Sequence, residues 1–313
     1  MVAFIIIASL LVVCFAVTVV FGVSYSYKTA YRPRPRGEHD HFRGTEPGGK
    51  VPNPELCREH ISRLLNAQSE CVYIRSHDGL KLAGYYMPGR GMDAPLALCF
   101  HGHRSSWQRD FSGIAPILFD RGFNVLFVDQ RSHGESEGNL ISLGVNEQRD
   151  VISWIEYALG RFGNDTRILL VGVSMGGASV LGSAGLGLPD NVIGIISDSA
   201  FSSAPDITVE VGCKAGKMTH IVSLVTKLSA RVHGFRLKDG SAKNAVRNTD
   251  LPILILHSRE DALVPYYMAE EIFASAKNAT LVAFDKGPHV CEWLLDYDRY
   301  KSAFEKFFME LNI

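Results

Sequence analysis

The segment Gly-Val-Ser-Met-Gly at residues 172–176 places Ser174 between two glycines, a spacing that suits nucleophilic chemistry. A continuous apolar run, Ile168 to Val173, precedes the serine, and small and apolar residues follow it, so the pattern predicts a strand, a tight turn and a helix. Such a turn strains the serine backbone, and the two glycines leave room where side chains would collide. We therefore predict that Ser174 lies at a helix N-terminus, where backbone N–H groups favour negative charge.

A serine hydroxyl is a poor nucleophile at neutral pH, so Ser174 needs a base and an acid that orients the base. Two later loops supply these groups, because Asp261 follows an apolar strand pattern at 253–257 and His289 follows another at 280–284. Loops after parallel strands converge at one edge of a sheet, so we predict His289 as general base and Asp261 as its partner. Asp198, after the strand pattern at 192–197, is the competing acid.

Negative charge that develops on a substrate oxygen requires fixed N–H donors. We predict that the backbone N–H groups of Met175 and His103 form this oxyanion hole, since His103 follows the strand pattern at 96–100 in the segment His-Gly-His-Arg. His101 is expected to brace this loop through its ring. Metal binding is the alternative for the pair His101 and His103, as it is for His39 and His41, but further ligands at useful spacing are missing. We predict no cofactor and no metal.

The elements that must position these residues alternate between strand and helix. Strand patterns occupy 71–75, 80–87, 96–100, 124–128, 168–173, 192–197, 253–257 and 280–284, and helical patterns occupy 54–65, 107–120, 143–161, the segment after 174, 266–276 and 289–309. This alternation predicts an α/β fold with a mostly parallel sheet and helices on both faces. An Asp-Gly turn joins the first two strand patterns and predicts a hairpin.

The N-terminal residues 3–23 carry no charge and are long enough to cross a bilayer. We predict an N-terminal transmembrane helix, a single-pass anchor over residues 1–27, and hence localisation at the cell membrane. Lys28, Arg32, Arg34 and Arg36 follow, and the positive-inside rule then favours a catalytic domain that faces the cytoplasm, with the opposite orientation left open. A cleaved signal peptide is the alternative, but a basic start and a clear cleavage site are missing.

The remaining chain divides into a Pro-rich and charged linker at 28–53 and a catalytic domain at 54–313. Within that domain, residues 204–250 contain helical pieces but no strand pattern, and we predict that this insertion is a small lid over the site. The net charge of −1 argues against nucleic acid as a partner. The six cysteines have no framework spacing, and no obligate protein partner is evident.

Together these motifs resemble those of the α/β-hydrolase superfamily. The resemblance covers about residues 70–311 and includes His-Asp-Gly-Leu-Lys-Leu at 77–82, Asp-Gln-Arg-Ser-His-Gly-Glu-Ser at 129–136 and Gly-Val-Asn-Glu at 144–147. The chain looks most like a bacterial membrane-anchored branch similar to serine aminopeptidases (S33) and monoacylglycerol-lipase-like hydrolases. That resemblance implies an eight-stranded sheet with an antiparallel second strand and no cofactor. It also implies structural roles for Arg131 and His133, which we leave out of the catalytic set.

The predicted function is that of a carboxylesterase or lipase-like serine hydrolase, which cleaves a small-molecule ester through an acyl-enzyme. The apolar lid segment at 221–225 and the predicted anchor favour a lipid-like acyl group. A serine peptidase or amidase with the same triad is the main alternative. An acyltransferase that excludes water would use identical residues. A non-catalytic scaffold is a further alternative, but such a relative usually lacks one member of the triad, and here all three are present. Members of the superfamily divide among several activities, so the fold does not choose the substrate.

Overall fold

A computed structural model describes residues 1–35, 41–43, 45, 50–91, 93–213 and 219–313. The strands are β1 Glu70–Arg75, β2 Lys81–Met87, β3 Leu96–Phe100, β4 Asn124–Val128, β5 Ile168–Val173, β6 Val192–Asp198, β7 Ile253–Ser258 and β8 Ala279–Phe284. The helices are α1 Val2–Ser26, α2 Pro54–Leu65, α3 Trp107–Asp110, α4 Ala115–Arg121, α5 Glu147–Phe162, α6 Met175–Ser183, α7 Ala204–Cys213, α8 Thr219–Val232, α9 Ala242–Ala245, α10 Tyr267–Ser275, α11 Glu292–Leu295 and α12 Tyr297–Glu310.

All eight strands form one sheet in the order β1-β2-β4-β3-β5-β6-β7-β8. Strand β2 runs antiparallel to both β1 and β4, and the remaining neighbours are parallel. Strands β3, β4, β5 and β7 are buried along their whole length, which explains their continuous apolar sequences. The predicted eight-stranded, mostly parallel sheet with an antiparallel second strand is confirmed.

Helices cover both faces of the sheet and bury its apolar side chains. On one face the core includes Ile61 of α2, Ile117 of α4 and Phe304 of α12. On the other face it includes Trp154 of α5 and Leu181 of α6. The sheet is therefore packed on both faces, and the loops at the carboxyl ends of its strands begin from buried, well-packed strands.

Two predicted helices are each divided in the structure. The pattern at 107–120 becomes α3 and α4, and Pro116 lies in the first turn of α4, where its missing N–H costs no hydrogen bond. The pattern at 289–309 becomes α11 and α12, and Asp296 starts α12 because its carboxylate accepts the Arg299 N–H at 3.1 Å.

The predicted N-terminal transmembrane helix is wrong. Among the residues that the structure describes, no helix combines the length and the apolar character that a bilayer span requires. The end of the apolar run instead contacts α8: a Cβ on Gly22 would lie 3.0 Å from Val225, and the Ser229 hydroxyl donates to the Val23 carbonyl at 3.1 Å. The predicted cell-membrane localisation, its cytoplasmic orientation and the membrane contact rested on the same run and are corrected with it.

The segment predicted as an insertion, 204–250, lies between β6 and β7 and contains α7, α8 and α9. Residues 214–218 between α7 and α8 lie outside the described part, as do residues 36–40, 44 and 46–49 of the predicted linker. Tyr27–Tyr31 forms a π-helical turn that continues α1 and packs on the body of the protein. The role of the insertion as a lid stays a prediction.

Candidate active site

Ser174 lies in the turn between β5 and α6 with φ 54° and ψ −116°, a backbone conformation that L-residues rarely adopt. The flanking glycines are required by close backbone contacts. A Cβ on Gly172 would lie 2.4 Å from the Gly176 carbonyl oxygen, and a Cβ on Gly176 would lie 1.8 Å from the Phe100 carbonyl oxygen. The predicted strained turn is thus confirmed, and it presents the Ser174 side chain above the first turn of α6.

The structure brings Ser174, His289 and Asp261 together from three loops of the sheet edge. His289 Nε2 lies 2.9 Å from Ser174 Oγ, and His289 Nδ1 lies 2.6 Å from Asp261 Oδ2. A carboxylate can only accept, so Nδ1 carries the ring proton and Nε2 is left to accept the serine O–H. This tautomer is the one that a base for Ser174 requires.

Asp261 has a fully buried carboxylate that several hydrogen-bond donors hold in its ionised form. Its Oδ1 accepts the backbone N–H groups of Leu263 and Val264 at 2.8 and 2.9 Å. Its Oδ2 lies 3.4 Å from His257 Nε2, and that nitrogen also lies 2.8 Å from the Val264 carbonyl oxygen. Burial by itself raises the pKa of Asp261, but hydrogen bonds from His257 and His289 outweigh it and hold the pKa well below its ordinary value. Asp261 can therefore only accept from His289.

Asp198, the competing acid, has different partners. Its Oδ2 accepts the Tyr300 hydroxyl at 2.5 Å, and its Oδ1 accepts the Ser199 hydroxyl at 2.8 Å. Glu292 lies behind Ser199, with Oε1 3.2 Å from the Ser199 hydroxyl oxygen. Burial raises the pKa of both carboxyl groups, and the charge of Asp198 raises that of Glu292 further. This buried acidic pair lies beside the Ser174–His289–Asp261 chain without joining it.

The His-Gly-His loop, residues 101–104, lies directly beside the serine. A Cβ on Gly102 would lie 3.1 Å from Ser174 Cβ. The Gly102 N–H donates to Asp110 Oδ2 at 2.7 Å, and the Ser105 hydroxyl donates to Asp110 Oδ1 at 2.6 Å. In the described part of the chain, no group accepts the His103 N–H. It lies one residue beyond Gly102, while Met175 begins α6, where N–H groups lack helical partners.

Histidine rings brace this loop from two sides. His101 Nδ1 lies 2.8 Å from the Gly102 carbonyl oxygen, and its Nε2 accepts the Gln130 N–H at 3.2 Å. His133 Nε2 accepts the Arg104 N–H at 2.9 Å. Burial lowers the pKa of His103 and of His133 to about 3, so both rings are neutral at physiological pH. The predicted bracing role of His101 is confirmed, and His133 shares it.

In the two histidine pairs that are the alternative metal sites, the described rings have hydrogen-bond partners within the protein. His101 and His103 each direct a ring nitrogen at a backbone carbonyl oxygen, that of Gly102 and that of Ala30. His39 lies outside the described residues, and His41 Nδ1 lies 2.7 Å from the Ser106 hydroxyl.

Elsewhere among the described residues, His77, Asp78 and Asp150 lie close enough together to hold a metal ion. The Arg131 guanidinium, however, forms ion pairs with both carboxylates, at 3.0 Å from Asp78 and 2.6 Å from Asp150. Arg131 is buried, so this arrangement is a structural ion-pair network, as the resemblance implies for that segment.

Sequence reasoning missed three contributors to the site. His257 is the penultimate residue of β7, and a polar residue in an apolar strand four positions before Asp261 is a usable signal for it. Asp110 is part of no motif, and only the fold brings it under Gly102. The turn Tyr27–Tyr31 touches the His-Gly-His loop through backbone carbonyls, which carry no sequence signature.

Residues 97–301 match the Alpha/beta hydrolase family. Protein YfhR of Escherichia coli (strain K12) is 26% identical over 230 residues, which cover 71% of this chain and 74% of that protein. The Pyrococcus furiosus esterase Pf2001 superimposes with a TM-score of 0.61 at 22% identity, covering 79% of this chain and 92% of that one. Est1E from Butyrivibrio proteoclasticus, solved with ferulic acid bound, gives 0.59 at 22% identity and covers 77% and 98%.

The structural likenesses show a shared fold, and the family match spans more than half of the 313 residues, including Ser174, Asp261 and His289. The chain belongs to the alpha/beta hydrolase family.

Proposed function

We propose that this protein is a serine hydrolase that cleaves a carboxylic ester through an acyl-enzyme intermediate. The observation that carries the proposal is the unbroken hydrogen-bonded chain from Asp261 through His289 to Ser174, with each member on a different loop of the sheet edge. In this arrangement an imidazole is already aligned between a hydroxyl and an ionised carboxylate.

In the first half of the reaction, Ser174 Oγ attacks the ester carbonyl carbon while its proton passes to His289 Nε2 over the 2.9 Å contact. The resulting imidazolium is stabilised by Asp261, which is ionised and already hydrogen-bonded to Nδ1. The negative charge on the former carbonyl oxygen is held by the N–H groups of Met175 and His103. His289 then protonates the departing alcohol, and the acyl group stays on Ser174.

In the second half, a water molecule donates a proton to His289 Nε2 and attacks the acyl carbon. The same two N–H groups hold the second oxyanion, and the carboxylic acid leaves as Ser174 Oγ recovers the proton from His289. Every proton moves through one ring nitrogen, so no cofactor is required by this scheme.

The esterase among the structural neighbours, and the neighbour solved with ferulic acid, support a carboxylic ester as substrate. An apolar acyl group fits the surroundings of Met175, where a cluster of apolar side chains joins the sheet edge to the insertion. Its members include Ile141, Leu143, Phe201, Val264 and Met268. We extend the proposal to a lipid-like acyl chain and to the serine-aminopeptidase and monoacylglycerol-lipase-like branch, both of which rest on sequence resemblance and on this cluster.

The full chain should react covalently with a fluorophosphonate probe and should hydrolyse p-nitrophenyl esters, and the Ser174→Ala variant should do neither. Ser183→Ala is the matched control, because Ser183 lies on the same helix but its hydroxyl donates to the Val180 carbonyl at 2.7 Å. A comparison of short and long acyl esters tests whether the acyl group is apolar and lipid-like. Turnover of an aminoacyl anilide in place of esters would favour the peptidase alternative, and a folded protein that resists the probe would contradict the proposal.

A further inference from the structure

We propose that the N-terminal turn, which we define as the π-helical residues Tyr27–Tyr31 together with Arg32, is a working part of the active site. The turn holds the His-Gly-His loop in the position that oxyanion stabilisation requires. His103 and Arg104 are the positioning residues, since their side chains bind the turn while the His103 backbone N–H is the proposed oxyanion donor. This inference rests on the proposed function of that loop.

The first contact joins the His103 ring to the turn. His103 Nε2 lies 2.9 Å from the Ala30 carbonyl oxygen across 73 positions of sequence. A carbonyl oxygen only accepts, and burial keeps this ring neutral, so Nε2 carries the proton and donates to Ala30. The residue that supplies the predicted oxyanion N–H is therefore tied to the N-terminal turn by its own side chain.

The second contact is made by the neighbouring arginine. Arg104 Nε and Nη2 donate to the Arg32 carbonyl at 2.9 and 2.5 Å, and Nη2 also donates to the Lys28 carbonyl at 2.8 Å. These carbonyls lie at the end of the helical segment, where carbonyl groups lack helical partners and a cation is favoured. Arg104 itself has φ 53°, so its fork of hydrogen bonds also fixes a backbone conformation that would otherwise relax.

The N-terminal turn is itself held in place by the insertion and by the loop before α5. The Tyr31 hydroxyl, which is buried, donates to the Thr226 carbonyl of α8 at 3.1 Å, and the Tyr31 ring packs edge-on against Phe235. The Ile141 N–H donates to the Tyr31 carbonyl at 2.8 Å. The N-terminal turn thus bridges the insertion to the His-Gly-His loop, so the loop is held between the body of the protein and the turn.

This placement matters because an oxyanion donor works only within a narrow range of distances. Removal of one such donor costs about 10²–10³ in kcat. A donor on a loosened loop loses part of that contribution, so we expect a fall of about 10- to 100-fold in kcat when the grip on the turn is lost, with little change in KM.

The test uses the full chain with His103→Leu and Arg104→Met, each of which keeps the backbone N–H and removes the bonds to the turn. Besides kcat per fluorophosphonate-titrated site, the affinity for a trifluoromethyl ketone is measured, because its adduct with the serine carries an oxyanion. We expect that affinity to fall by the same factor as kcat/KM. His103→Gln and Arg104→Lys keep a donor and should recover part of the loss. A merely structural role would lower the folded fraction and leave kcat per titrated site unchanged.

Arg90→Met is the matched control. It removes the hydrogen bond from Arg90 Nη2 to the Asp120 carbonyl at 2.8 Å, an arginine–carbonyl bond outside the His-Gly-His loop and the N-terminal turn, and it should leave kcat within about twofold. Hydrogen–deuterium exchange of residues 101–106 gives a readout that needs no turnover, and it should rise in His103→Leu and Arg104→Met.

Unchanged exchange in both variants, or wild-type kcat in both, overturns the inference. Absence of ester turnover in the wild type overturns the proposed function instead, and the exchange measurement still decides whether the turn holds the loop.

Discussion

The two halves of the site are held in different ways. Ser174, Asp261 and His289 follow β5, β7 and β8, so the ladder of one buried sheet fixes their starting points. The His-Gly-His loop also follows a buried strand, but its far end is held by hydrogen bonds to the side chain of Asp110 and to the backbone of the N-terminal turn. We refer to these as the sheet half and the loop half.

The difference predicts where the protein is sensitive. In the sheet half, a substitution acts on a proton-transfer chain whose geometry is set by packed strands, so it changes chemistry and leaves the fold intact. In the loop half, the positions of N–H donors depend on a few polar bonds between distant segments, so the same kind of substitution changes stability and geometry together. Substitutions in each half can test this division.

The largest effect is expected in the sheet half, for Asp261→Asn. An amide in place of the carboxylate presents an N–H to His289 Nδ1 or turns the ring, so the imidazole no longer has the tautomer that Ser174 needs. We expect kcat to fall by about 10⁴-fold with the melting temperature little changed. Stopped-flow or steady-state hydrolysis of a p-nitrophenyl ester measures this effect.

Asp198→Asn is the matched control for that experiment. Asp198 bonds Tyr300 and Ser199, and it lies outside the chain that reaches Ser174. Its kcat should stay within about tenfold of the wild type. A larger fall in kcat for Asp198→Asn than for Asp261→Asn would identify Asp198 as the acid and would contradict the proton-transfer chain assigned to the sheet half.

In the loop half, Asp110→Ala should cost stability as well as activity. The substitution leaves the Gly102 N–H, which donates to Asp110 at 2.7 Å, without an acceptor in a buried place. A buried donor without a partner costs about 1–3 kcal/mol. Urea denaturation should show that loss in the free energy of unfolding, and kcat should fall because the neighbouring His103 N–H shifts. Asp110→Asn keeps an oxygen acceptor and should recover most of both, whereas an undiminished free energy of unfolding in Asp110→Ala would contradict the division.

The sheet half could be predicted from sequence because each of its parts has a local signature. Strands buried on both faces are continuous apolar runs, and the eight predicted strands agree with the structure to within one residue at each end. The turn around Ser174 is marked by glycines whose steric need is local. Asp261 and His289 lie in the loops that follow β7 and β8, so strand order alone brings them to one edge.

The loop half and the N-terminus could not be predicted in the same way. The acceptors in the N-terminal turn are backbone carbonyls of Lys28, Ala30 and Arg32, and any residue supplies a carbonyl. The apolar run before them suits a bilayer and also suits packing against α8, where Gly22 meets Val225. Composition does not distinguish these two surroundings, and only the fold shows that the end of the run contacts α8.

The smallest effect on activity is expected for Glu292→Gln, which tests whether the buried acidic pair of the sheet half is structural. Glu292 Oε1 lies 3.2 Å from the Ser199 hydroxyl oxygen, and that hydroxyl donates to Asp198. Burial, and then the charge of Asp198, raise the pKa of Glu292. The amide of glutamine carries no charge and can hydrogen-bond the Ser199 hydroxyl in the same place, so kcat should stay near that of the wild type.

The consequence for stability has a definite sign. The folded state binds a proton on Glu292 that the unfolded chain releases above its ordinary pKa of 4.5. The stability that this proton supplies is complete below that pH and declines as the pH rises toward the pKa of the folded state. Glutamine does not titrate, so the free energy of unfolding of Glu292→Gln, relative to the wild type, should be greater at pH 9 than at pH 5. Denaturation curves at the two pH values measure this difference. If Glu292→Gln stabilised the protein equally at pH 5 and at pH 9, Glu292 would be ionised in the folded protein at both.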